Sequence, residues 1–73
     1  MAQGKMSNLD TCRAALERKY SGLTFTIYHG GVMHIICAAK DLHSVYHDTK
    51  LLITDGSVSM EKIGNTTKIR IHL

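Results

Sequence analysis

The spacing of apolar residues along this chain passes from a helical period to strict alternation, back to a helical period, and then to alternation again. Leu9, Cys12, Leu16 and Tyr20 recur at intervals of three and four with Ala15 beside them, one stripe of an amphipathic helix. Ser7 or Asn8 is suited to cap that helix, Asp10 would put a carboxylate in its first turn, and Gly22 would end it. Arg13 and Glu17, four apart, fall on its wet side. Residues 1–6 read as a loose polar start and 7–73 as a single small domain.

From Leu23 the period is two. LTFTIY and VMHIICAA flank His29-Gly30-Gly31, and the loop length sets the register between them. A three-residue loop pairs Tyr28 with Val32, Ile27 with Met33, Phe25 with Ile35 and Leu23 with Cys37, gathering the apolar residues on one face. A two-residue Gly-Gly loop would set His34 opposite Ile27 and leave neither face apolar, so three is preferred. The other face of this hairpin carries Thr24, Thr26, Tyr28, Val32, His34 and Ile36, a mixture that one helix cannot cover.

Residues 41–48 read as a short helix capped by Asp41, with Leu42, Val45 and Tyr46 as its apolar stripe. Alternation, with Leu42, Ser44 and Tyr46 on one face, competes with that reading. Lys50 to Leu73 reads as a three-stranded meander. Asp55-Gly56 and Gly64-Asn65 are two-residue hairpin signals, because a type I′ turn needs positive φ at both central positions. Counting outward pairs Ile53 with Val58, Leu51 with Met60, Met60 with Ile69 and Val58 with Ile71. Leu51, Ile53, Val58, Met60, Ile69, Ile71 and Leu73 then share the inner face.

The expected fold is α+β. An N-terminal helix packs on five antiparallel strands, made of hairpin 23–38, the short helix and meander 50–73, as an open sheet or a partly closed barrel. Composition agrees with a small folded domain. Of 73 residues 44% are apolar, aromatics number three Tyr and one Phe, and proline is absent. At this length folding buries only about 60% of the surface of the unfolded chain, which favours modest stability.

A net charge of +3 makes the chain mildly basic, and Arg18-Lys19 is its one pair of adjacent cations. The start lacks a secretory signal, no stretch reaches membrane-spanning length, and two cysteines suit a reducing compartment, so a cytoplasmic location is expected.

His43 and His47 would share one helix face, half of a zinc site that Asp48 could extend. No C-x-x-C pair accompanies them, and two histidines on the wet side of a helix is the preferred reading. Cys12 and Cys37 fall on apolar faces and read as small core residues. Gly30-Gly31 matches no phosphate-loop pattern, and a hairpin turn accounts for it. No enzyme, cofactor or small-molecule substrate is expected.

Two surfaces remain. Tyr28, Val32, Ile36, Leu52 and Ile63 are apolar positions outside the helix-covered side, and they suit contact with a protein partner or a second copy. Lys68, Arg70 and His72 alternate on the outer side of the last strand with Lys50 nearby, a stripe suited to a phosphate backbone. The leading expectation is a small non-enzymatic regulator or inhibitor acting by stoichiometric protein contact. The alternative is a basic nucleic-acid-binding module, with Arg18-Lys19 as an auxiliary contact.

Overall fold

The computed structural model describes residues 4–73, with side chains from Leu9 onward. Helix α1 spans Gly4–Lys19, strand β1 Thr24–Tyr28 and strand β2 Val32–Ile36. A single 3-10 turn, Ala39–Asp41, leads into helix α2, Leu42–Leu52. Strands β3, Ser57–Ile63, and β4, Thr66–His72, complete the chain. The fold is α+β, with an open antiparallel sheet in the order β1-β2-β4-β3.

Helix α1 buries Leu9, Cys12 and Leu16, the stripe that its spacing implies, and Tyr20 packs against the same core. It begins earlier than expected, so Ser7 and Asn8 lie within the helix and do not cap it. The loose start expected over 1–6 lies, for residues 1–3, outside the described residues. Gly22, at φ +77°, turns the chain toward β1.

Two of the three predicted hairpin registers are formed. Phe25 pairs with Ile35, Ile27 with Met33 and Tyr28 with Val32, which confirms a three-residue loop. Met60 pairs with Ile69, Val58 with Ile71 and Ile63 with Thr66 around Gly64-Asn65.

The first strand of the expected meander is not formed, and among the described residues the sheet has four strands and stays open. Lys50, Leu51 and Leu52 continue α2, so the pairs Leu51–Met60 and Ile53–Val58 do not form. The reason lies in the helical stripe, which does not stop at Tyr46. Val45 and Thr49 are fully buried four residues apart, and the Thr49 hydroxyl donates to the Val45 carbonyl at 2.7 Å. The same rotation points Leu51 into solvent, 66% exposed, while Ile53 beyond the helix end drops into the core. An apolar run as short as Leu51-Leu52-Ile53 does not distinguish strand from helix.

Asp55-Gly56 therefore links α2 to β3 and is no hairpin corner. Gly56 lacks a positive φ; a Cβ there would lie 2.8 Å from the His72 carbonyl oxygen. Its role is close backbone approach.

Strands β2 and β4 sit at the centre, joined by the pairs Met33–Ile71, His34–Arg70 and Ile35–Ile69. Met33, Ile35, Ile69 and Ile71 are fully buried against Leu9, Cys12 and Leu16 of α1, Val45 of α2, and Ile53. Ile27 and Met60 share that inner side, yet they lie on the edge strands and stay exposed. Both helices lie on one face. Among the described residues, no element covers the other face.

Candidate functional site: the open face of the sheet

Alternation in four paired strands sets the uncovered face as a grid. One row reads Tyr28, Val32, His72, Ser57; the next reads Thr26, His34, Arg70, Ser59; the third reads Thr24, Ile36, Lys68, Glu61. Neighbouring strands lie about 4.8 Å apart, so each row is a short ladder of touching side chains. Lys68, Arg70 and His72 form a column down β4, with His34 beside Arg70 on β2.

The Tyr28 and His34 rings meet edge to face, centroids 4.8 Å apart and planes at 61°. Such a pair is favourable because the positive edge of one ring meets the electron-rich face of the other. Burial, then the Lys68 charge, hold the His34 imidazole below its ordinary pKa, with Arg70 adding to the effect and Glu61 opposing it. Near neutral pH the fixed charge of the face is therefore cationic and resides on Lys68 and Arg70. Glu61, opposite Lys68 on β3, offsets part of it at one side.

Most of the sequence candidates are brought together here, from both sets. Tyr28 is 48% exposed, Ile36 39% and Ile63 56%, and Val32 is half-buried between Tyr28 and His72. Ile63 stands at the far end of β3, opposite Thr66.

Leu52 and Lys50 do not belong. Both lie in α2, on the helical side of the sheet, because residues 50–52 are helix and not strand. Leu52 lines a shallow hollow with Ala15, Leu16 and Leu51, and the Lys50 ammonium sits 5.4 Å from the centre of the Tyr46 ring. Arg18 and Lys19 end α1, and the Lys19 ammonium is 2.9 Å from Asp48, so they add nothing to this face.

The remaining chemistry-bearing residues lie away from the open face. His43 and His47 are exposed on α2 beside Asp48, whose Oδ2 accepts from the Tyr20 hydroxyl at 2.7 Å and from Lys19. No group of three or more His, Cys, Asp or Glu among the described residues is placed to hold a metal ion. Burial raises the Cys12 thiol to about 11, and burial followed by the Asp41 charge raises Cys37. Both thiols stay protonated at neutral pH, which opposes nucleophilic use.

His34 is the member of the site that the sequence did not single out. Its signal was present in the alternation of β2, which already set it beside Val32 and Ile36; the pairing of β2 with β4, which puts it next to Arg70, was not. Comparisons with protein-family models, with curated proteins and with solved structures find no match. No helix among the described residues is long and apolar enough to cross a membrane.

Proposed function

We propose that this chain is a small non-enzymatic binding protein, a regulator or inhibitor that works by stoichiometric contact between its open sheet face and an acidic patch on a partner protein. The observation that carries this reading is that α1 and α2 lie on the same side of the sheet. Among the described residues, nothing covers the face that bears Tyr28, Val32 and Ile36 beside Lys68 and Arg70. Protein interfaces are enriched in Tyr and Arg, and this face carries both, with Val32 and Ile36 on either side of its polar middle row. The cationic column selects the sign of the partner and would speed its approach. A test is capture from a cell extract with the partner identified, repeated with Lys68→Glu plus Arg70→Glu. Loss of a stoichiometric partner in the double variant supports the reading, and a wild type that retains no protein counts against it.

A second reading, single-stranded nucleic acid, is favoured by one specific feature. The last strand by itself carries cations without an aromatic, but β2 sets His34 beside Arg70 and Tyr28 of β1 packs its ring against His34. Cations next to rings are the elements of a stacking platform for bases. Anisotropy of a labelled oligonucleotide at low salt separates the two. Binding with a steep salt dependence would favour this second reading, and its absence would leave the protein partner.

A further inference from the structure

The two edges of the sheet are unlike each other, and the difference points to a second copy of this chain at β1. An edge strand presents unpaired backbone N–H and C=O groups, and proteins commonly protect such edges with charge, lysine above all. Strand β3 has that protection in Glu61 and Lys62. Strand β1, Thr-Phe-Thr-Ile-Tyr, has no charge, no proline and no glycine, and its Ile27 is 47% exposed.

We infer that two copies pair antiparallel through β1 about a two-fold axis at Thr26, joining two four-stranded sheets into one. The strand is self-complementary about that residue. Thr24 falls opposite Tyr28 of the other copy, Phe25 opposite Ile27, and Thr26 opposite itself, so every residue of β1 is paired. Phe25 and Ile27 lie on the inner side in both copies, and an aromatic against a β-branched residue is a favourable cross-strand combination, as is Thr against Thr. Shifted pairings lose this: moving the axis to Phe25 or Ile27 leaves strand ends unpaired. The same operation on β3 sets Lys62 against Val58 about Met60, or sets Glu61 or Lys62 against its own copy.

Charge on the helical side agrees. The Arg13 guanidinium sits 5.6 Å from the centre of the Phe25 ring, next to the axis, and its Nε is 3.5 Å from Glu17. The two-fold runs α1 antiparallel to its counterpart, so the Arg13–Glu17 pair of one copy meets the other in reversed order, cation toward anion. Both open faces then lie on the same side of a continuous sheet. Five paired residues fall short of the roughly 1,200 Å² of a standard interface, so monomer and dimer exchange.

Sedimentation velocity of the full chain over a range of concentrations tests this. The wild-type mass rises from one copy toward two, whereas Thr26→Lys, which sets two ammonium groups face to face on an exposed position, stays monomeric with unchanged circular dichroism. Independently of any folding defect, Thr26→Cys in a Cys37→Ser background forms a disulfide-linked dimer on mild oxidation, and Ser59→Cys on β3 does not. A wild type that is monomeric throughout overturns the inference. So does a Thr26→Lys chain that associates as the wild type does, or equal crosslinking at Ser59→Cys and Thr26→Cys.

Discussion

The Tyr20 hydroxyl donates to Asp48 Oδ2 at 2.7 Å, tying the end of α1 to the middle of α2 across a long stretch of sequence. That bond, followed by the one from Lys19, holds the Asp48 carboxyl below its ordinary pKa of 3.8. A carboxylate favoured in the folded state adds stability that is complete above the unfolded value and is lost as pH falls through the lower folded one. Acid unfolding of the wild type should therefore steepen below about pH 4. Tyr20→Phe should flatten that part of the profile, with a lower melting temperature at pH 7 and little change at pH 2. An identical slope in both proteins would remove Asp48 from the acid response.

Ile69 and Leu51 separate the helical and strand readings of residues 50–54. Ile69 is fully buried on a central strand, and Ile69→Ala should cost about 2–5 kcal/mol. A domain of this length holds roughly 4–11 kcal/mol in total, so much of the stability goes. Leu51→Ala on an exposed helical position should stay within about 0.5 kcal/mol of wild type. Urea denaturation followed by circular dichroism reads both, and a large loss at Leu51 would return that residue to the core.

Gly56 and Gly64 are needed for different reasons, and asparagine distinguishes them. Gly64 has φ +63° with open space around it, so Gly64→Ala should cost about 1–2 kcal/mol. Gly64→Asn should recover most of that, since asparagine tolerates this conformation. At Gly56 any Cβ meets the His72 carbonyl oxygen and the Leu73 Cα, at 2.8 and 3.0 Å. Gly56→Ala and Gly56→Asn should both cost about 1–3 kcal/mol, because backbone on the facing strand must move. Thermal melts of the four variants give the comparison.

Lys68 and Arg70 should govern binding without governing folding. Lys68→Glu plus Arg70→Glu should weaken a partner at least tenfold, about 1.4 kcal/mol, with little change in melting temperature. Lys50→Glu and Leu52→Asp, on the helical side, should leave affinity unchanged. Titration calorimetry against the captured partner checks all three variants, and a loss at Lys50→Glu equal to that of the double variant would displace the site from the open face.

His34 supplies the pH dependence of the same site. Its pKa is lowered in the fold, so protonation is disfavoured there relative to the unfolded chain, whose value is near 6.5. Stability contributed by neutral His34 is present above that value and declines as pH falls below it. An acidic partner, by contrast, should bind more tightly as His34 gains its proton. Imidazole shifts followed by NMR, with and without partner, should show the titration moving upward on binding.

Much of the local architecture was legible in the chain. The stripe Leu9, Cys12, Leu16 and the pairings Phe25–Ile35 and Val58–Ile71 depend on neighbours joined by one helix turn or one short loop. There periodicity and glycine-bearing turns leave few alternatives. The boundary at Lys50 was not legible, because the alternation of Leu51 and Ile53 mimics a strand over the few residues where α2 ends. Burial of Thr49 decides it, and a polar residue gives no apolar signal in a pattern.

What the sequence by itself determined, then, is which residues of each segment share a face, since side-chain direction follows from local backbone period. What only the tertiary structure decided is which faces meet. The pairing of β2 with β4 sets His34 beside Arg70, and the placement of both helices on one side leaves Tyr28, Ile36 and Lys68 facing outward. Both outcomes depend on contacts between segments far apart in the chain, where the choice of partner is set by how all the apolar faces can be buried at once.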